Sequence, residues 1–123
     1  MKKIDTNKAP KAIGPYSQAI VINNIIYTSG QLGINPETGL FAGNKIEDQT
    51  HQAIKNIIAI LEEANTSIEN VIKTTVFVKY INDFGKINEI YAKYFINSPA
   101  RSFVEVSRLP KDGLIEIEAV AKI

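Results

Sequence analysis

The chain is 123 residues long, with 45% hydrophobic residues, 22% charged residues and a formal net charge of +1. This composition predicts a single folded domain over residues 1–123, and it offers no basic surface for nucleic acid or anionic lipid. The chain contains no cysteine, which excludes disulfides, thiolate nucleophiles and thiolate metal ligands.

No targeting signal is predicted for the first residues. The lysines of MKKIDTNKAPK are not followed by an apolar run, so a secretory signal is not predicted. No segment approaches the ~18 consecutive apolar residues of a membrane-spanning helix. The expected location is the cytoplasm.

A β-hairpin is predicted over residues 19–30, AIVINNIIYTSG. Two β-branched runs are separated by Asn23 and Asn24, and asparagine tolerates the positive φ that a two-residue type I′ turn requires. The turn NPETG then precedes a short extended piece around Leu40–Phe41.

Residues 46–65 change to helical periodicity. Asp48 or Thr50 is the expected N-cap, and Asn56 is expected to face away from the apolar stripe. The apolar stripe consists of Ala53, Ile54, Ile57, Ile58, Leu61 and Ala64.

The second half of the chain predicts a strand, a helix and two further strands. NVIKTTVFVKY (70–80) is rich in β-branched and aromatic residues, and NDFGKINEIYAKYF has helical spacing with Asp83 as the N-cap. RSFVEVSRL and LIEIEAVAKI both alternate as strands do.

These elements predict an α+β fold, with one mixed sheet and two helices on one of its faces. The other face would carry Glu116, Glu118 and aromatic residues, which is neither an apolar core nor a solvated surface. We therefore expect another subunit to cover it.

Arg101 and Glu116 are the most informative candidates for chemistry. Arg101 follows Pro99 on an extended segment, and its planar guanidinium matches a carboxylate bidentately, although a surface arginine at a sheet edge fits equally well. Phe103 shares its strand face. Glu116 lies between two isoleucines, so partial burial would raise its pKa toward values useful for acid–base catalysis.

A strand glutamate is more often solvated or ion-paired, and Glu105 and Glu118 are weaker candidates on the same reasoning. His51 is expected to be a surface residue of the first helix. It stands alone, so no metal site is predicted.

Tyr16 and the pair Ser29–Gly30 are candidates of a different kind. The phenol of Tyr16 follows Pro15 and could donate a hydrogen bond to a ligand, or simply pack under a turn. Ser29 and Gly30 combine a hydroxyl with a backbone N–H suited to an anion, or they end a strand. No phosphate-binding or dinucleotide-binding motif is present.

Four long motifs, in order, resemble the Rid family (YjgF-like), specifically its RidA type. They are NKAPKAIGPYSQA, YTSGQLGINPETG, KTTVFVKYINDFGKINEIY and PARSFVEVSRLPKDGLIEIEAVA. The resemblance runs from Ala9 to Ala121. It implies a chorismate-mutase-like fold assembled as a homotrimer, with clefts between subunits and neither cofactor nor metal.

The resemblance also implies 2-iminobutanoate/2-iminopropanoate deaminase activity. Such an enzyme hydrolyses reactive enamines and imines, released by pyridoxal-phosphate enzymes, to 2-oxo acids and ammonia. Arg101 would grip the substrate carboxylate and Glu116 would hold or activate water. The remaining site residues would be Tyr16, Ser29 and Gly30, contributed by the neighbouring subunit, with Asn88 in support.

Phe103 departs from the family pattern, because many relatives have cysteine at this position. The backbone N–H of Phe103 can still bind a carboxylate, while its ring would narrow the pocket and change substrate preference.

Two alternatives accompany the deaminase. One is a non-catalytic trimer that binds or senses small 2-oxo acids. The other is an RNA-cleaving inhibitor of translation, against which the near-neutral charge and the single histidine weigh. The expected partners are a small 2-imino or 2-oxo acid and other copies of the chain, with no nucleic acid and no membrane.

Overall fold

Alternating apolar residues build a seven-stranded mixed sheet in the computed structural model, which describes residues 1–123. The strands are β1 (Lys2–Ile4), β2 (Ala19–Ile22), β3 (Ile25–Thr28), β4 (Gln31–Leu32), β5 (Val71–Val78), β6 (Ala100–Glu105) and β7 (Ile115–Lys122). The helices are α1 (Ile46–Glu63) and α2 (Phe84–Tyr94). The expected α+β class is confirmed.

The strand order is β1-β2-β3-β7-β5-β6, with β4 paired to β7. All pairings are antiparallel except β5 with β6, which are joined through α2. β7 is therefore central and β6 is an edge strand. Both features decide where the candidate site residues lie.

One hydrophobic core fills the space between the sheet and the helices. From the centre of the sheet it takes Ile115, Ile117, Ala119 and Ala121 of β7, the face that the alternation predicted. From the helices it takes Ile54, Ile57, Ile60, Leu61 and Ile87. The predicted packing of both helices on one face is confirmed.

The predicted hairpin is also confirmed. Asn23 and Asn24 adopt φ values of 51° and 62°, and β2 pairs with β3 directly across them. By contrast, the extended piece near Leu40–Phe41 forms only one isolated bridge, between Phe41 and Ile34. The strands β1 and β4 were not predicted. They are only three and two residues long, which is too short for an alternation of apolar and polar residues to be recognised.

The expected N-cap of α1 is wrong, and a polar residue of this helix is buried. The helix begins at Ile46 without a side-chain cap, so neither Asp48 nor Thr50 is the N-cap. Asn56 is fully buried, because its amide donates to the carbonyl oxygens of Leu32 (3.1 Å) and Ile34 (2.9 Å). Those bonds compensate for the loss of water and fasten α1 to the segment after β4.

Neither helix has the length and apolar character needed to cross a membrane.

Candidate active site

Arg101 lies on the edge strand β6 and turns its side chain toward α2. Its Nη1 donates a hydrogen bond to Oδ1 of Asn88, 2.8 Å away. No carboxylate pairs with it, since the ion pair between Lys79 and Asp112 is the only one in the chain. Its charge is thus held in place but not neutralised, which leaves it available to an anion.

Three aromatic rings surround this guanidinium. Its central carbon lies 4.7 Å from the ring centre of Tyr91, 5.2 Å from that of Phe103 and 5.6 Å from that of Phe84. The Phe84 and Phe103 rings contact each other edge to face, with centres 4.8 Å apart. Cation–π attraction and stacking therefore restrict the rotamer of the arginine. The predicted shared face of Arg101 and Phe103 is confirmed.

Tyr91 anchors this arrangement to the core. Its hydroxyl lies 2.7 Å from Oγ1 of the buried Thr74, which is the β5 residue paired with Arg101. Burial raises the pKa of the Tyr91 phenol, and the Thr74 hydrogen bond partly opposes that rise. The phenol is accordingly neutral near pH 7 and serves as a fixed wall.

Beside Arg101 is a cavity of about 370 Å³. Its lining comprises Asn88, Tyr91, Ala92, Phe95, Ile96, Ser98, Pro99 and Arg101. We call this region the arginine half-site.

Glu116 lies on the opposite side of the sheet. Partial burial raises the pKa of its carboxyl, and the neighbouring charge of Glu118 adds to the rise. The side chain runs across Gly30, where an added Cβ would lie 2.8 Å from its Cδ. The absence of a side chain at Gly30 therefore lets the Glu116 carboxyl group keep this position, since an added Cβ would displace it.

A second cavity, of about 480 Å³, opens beside Glu116. Tyr16, Gly30 and Glu116 all line it, so the structure brings three of the predicted site residues together. The Tyr16 side chain is 54% exposed, and its hydroxyl accepts a long hydrogen bond (3.4 Å) from the Ile13 N–H. We call this region the glutamate half-site.

Ser29 does not line either cavity. Its hydroxyl donates to the Ser17 carbonyl oxygen (2.6 Å), and its N–H donates to that of Gln18 (2.8 Å). Both groups are therefore engaged in holding the segment that carries Tyr16 beside Gly30. Phe103 also lies outside both cavities, where its ring packs against the guanidinium of Arg101.

The register of the sheet separates the two half-sites. Thr74 of β5 pairs with Arg101 on one side and with the buried Ala119 on the other, so these three point toward the helices. Glu116 pairs with Phe77 and therefore points to the open face. Within one chain, the arginine and the glutamate cannot contact the same small ligand.

The open face is largely apolar. It carries Ile20, Ile22, Tyr27, Phe77, Val104 and Val120 beside Glu116 and Glu118, and all six apolar side chains are at least partly exposed. An exposed apolar patch of this kind is typical of a protein–protein interface.

Comparison with known proteins identifies the family. The family model described as Endoribonuclease L-PSP matches residues 6–123. The chain belongs to this family. It is 58% identical over 119 residues to a RutC family protein of Pyrococcus abyssi, covering 96% of this chain and 94% of the relative.

Two further relatives of this family connect it to the Rid proteins. The 2-iminobutanoate/2-iminopropanoate deaminase of Homo sapiens is 50% identical over 119 residues, with 96% of this chain and 87% of that protein covered. The solved structure of E. coli TdcF with bound serine is 42% identical, with a TM-score of 0.96 and coverage of 100% and 99%. The predicted Rid (YjgF-like) membership is confirmed.

Sequence reasoning missed the two aromatic residues that α2 contributes around Arg101. Phe84 and Tyr91 stand four residues before and three residues after Asn88, so all three lie on one helix face. That spacing was visible in the sequence, but nothing in it indicated that an arginine from another element would pack against this face.

His51 was expected at the surface, but it is half-buried. Its Nδ1 lies 2.9 Å from the Tyr94 hydroxyl.

Proposed function

We propose that the protein is a deaminase that hydrolyses 2-imino acids and their enamine tautomers to 2-oxo acids and ammonia, acting as a homotrimer. The observation that carries this proposal is the placement of Arg101 and Glu116 on opposite faces of one sheet. A complete site then requires the arginine half-site of one copy and the glutamate half-site of another. The apolar open face supports such an assembly.

Arg101 would bind the substrate carboxylate. Asn88 occupies one N–H of the guanidinium, and the remaining N–H groups can form two parallel hydrogen bonds to a carboxylate. The aromatic rings fix the orientation of the fork before the substrate arrives. Such preorganisation lowers the entropy lost on binding, and in the proposed assembly it would place the imine carbon next to Glu116 of the neighbouring copy.

Glu116 would transfer the protons. Its carboxylate takes a proton from water as the water oxygen bonds to C2 of the protonated imine, which gives a carbinolamine. The protonated Glu116 then donates its proton to the amine. As the C–N bond breaks, the hydroxyl proton of the carbinolamine passes to Glu116 and C2 becomes a carbonyl. The departing ammonia takes that proton from Glu116 and restores the carboxylate. One iminium and one water thus yield one 2-oxo acid and one ammonium ion. Burial raises the pKa of Glu116, which makes its carboxylate a stronger base toward water.

The named activity of the human relative supports this assignment, and serine bound to E. coli TdcF is likewise a small amino acid with a carboxylate. The acids named in the human relative's activity, the bound serine and the proposed substrates all carry a carboxylate.

The direct experiment follows imine decay. A pyridoxal-phosphate threonine dehydratase supplies 2-iminobutanoate, and its disappearance is measured by absorbance with and without the protein. We expect faster decay with wild type and a loss of about 10²-fold or more in Arg101→Ala and Glu116→Gln. The matched controls are Arg108→Ala and Glu63→Gln, which alter exposed side chains outside both cavities. Equal decay with wild type and with Arg101→Ala would reject the proposal.

The non-catalytic alternative makes a different prediction. A sensor of 2-oxo acids would bind 2-oxobutanoate in wild type and in Glu116→Gln with similar affinity, and neither protein would accelerate imine decay.

A further inference from the structure

The turn between β6 and β7 is backbone-strained beside the glutamate half-site. Lys111 adopts φ 55° and ψ 23°, and the next residue, Asp112, adopts φ 59°. Aspartate tolerates the left-handed region, whereas a long side chain such as that of Lys111 is disfavoured there and adopts it only where the surrounding contacts impose it.

Specific contacts hold this turn in place. The Asp112 carboxylate pairs with the ammonium group of Lys79 at 2.9 Å. The Asp112 N–H donates to the Leu109 carbonyl oxygen, and the Gly113 N–H donates to that of Pro110, both at 3.1 Å. The chain's only ion pair thus connects this turn to the residue that follows β5.

Lys111 lines the glutamate cavity, and so does Lys11 from the opposite end of the chain. Both residues are exposed, and neither forms an ion pair. Burial and Glu118 determine the shifted pKa of Glu116, with no contribution from either lysine. The two ammonium groups are therefore not used to neutralise the carboxylate inside the cavity.

We propose that Lys111, assisted by Lys11, binds a second anionic group of the ligand, so that the site favours dicarboxylic 2-imino and 2-oxo acids. This inference rests on the proposed function, in which Arg101 of a neighbouring copy takes the first carboxylate. The second carboxylate would lie at the far wall of the cavity. A volume of about 480 Å³ accommodates the longer ligand, being within the usual range of small-molecule sites.

Calorimetric titration of the assembled protein tests the inference with two stable probes, 2-oxobutanoate and 2-oxopentanedioate. We expect wild type to bind the dicarboxylate about 5- to 10-fold more tightly, an advantage that declines as salt screens the exposed lysines. Lys111→Ala should abolish this preference and leave the affinity for 2-oxobutanoate within about twofold, since Arg101 is intact. The control Lys55→Ala, on the exposed side of α1, should retain the preference.

Lys111→Gly separates binding from folding. Glycine adopts positive φ without strain, so this variant should keep the turn, melt at or above the wild-type temperature and still lose the preference. Equal affinity of wild type for both probes, or a preference that persists in both Lys111 variants, would overturn the inference. A preserved preference without imine hydrolysis would count against the proposed function alone, and hydrolysis without a preference would count against this inference alone.

Discussion

The two half-sites differ in how each holds its charged group. Arg101 is held in one orientation by three rings and by Asn88, and no carboxylate of the chain pairs with it. Glu116 has no hydrogen-bond partner within the chain, crosses a glycine, and has a raised pKa. The difference fits a division of labour, in which a rigid ion binds the substrate and an adjustable carboxyl group exchanges protons.

The largest expected effect comes from replacing the guanidinium of Arg101. Arg101→Lys keeps the positive charge but removes the planar fork that stacks on the rings and binds a carboxylate bidentately. We expect kcat/KM for imine hydrolysis to fall about 100-fold, with most of the loss in KM. Arg108→Lys is the matched control. Activity within about twofold of wild type would show that charge alone suffices and that the ring contacts do not matter for binding.

The support of the arginine should matter less than the arginine itself. Asn88→Ala removes the hydrogen bond to Nη1 and leaves the three rings in place, so we expect KM to rise about 10-fold with kcat within about threefold. Substitution of the exposed Asn44 by alanine provides the control. A fall in kcat without a change in KM would contradict a role in substrate binding.

The glutamate half-site can be perturbed by adding one methyl group. Gly30→Ala places a Cβ 2.8 Å from Cδ of Glu116, and this flexible side chain can move away. We expect kcat to fall about 5- to 10-fold while the melting temperature changes by no more than about 2 °C. Gly85→Ala is the matched control. It meets no atom within 4 Å, and it should leave activity unchanged while stabilising α2 by up to ~1 kcal/mol.

The smallest expected effect concerns stability. Because the folded state raises the pKa of Glu116, the ionised carboxylate opposes folding, and that cost develops as pH rises above the ordinary value of 4.5 through the folded-state pKa. Glu116→Gln removes the cost. We expect it to melt about 2 °C above wild type at pH 7, with the difference vanishing near ~pH 3.5. A variant less stable than wild type at pH 7 would contradict the assignment of burial as the cause.

Much of the fold follows from local pattern. The alternation of β7 and the pair Asn23–Asn24 each specify their own conformation, and the structure agrees with both. The burial of Asn56 could not be predicted, because its partners, the carbonyls of Leu32 and Ile34, lie more than twenty positions away in sequence. Whether a polar residue is buried depends on partners that only the tertiary fold supplies.

The site shows the same limit. Arg101 and Phe103 are two positions apart on one strand, so their shared face can be predicted from the sequence. The rings of Phe84 and Tyr91 lie beside Arg101 only because α2 packs against β6, which the sequence does not indicate. That Arg101 and Glu116 point to opposite faces depends on the register of two strands on either side of β5, which no local pattern defines.

The central claim, that one copy supplies Arg101 and another supplies Glu116, is tested most directly by mixing two inactive variants. Arg101→Ala and Glu116→Gln are co-expressed in equal amounts with different tags, and the mixed assemblies are purified and assayed for imine hydrolysis. In every mixed cyclic trimer, one of the three interfaces combines an intact arginine with an intact glutamate, so we expect about one third of wild-type activity. Activity no higher than that of the two parent variants would contradict a site shared between copies.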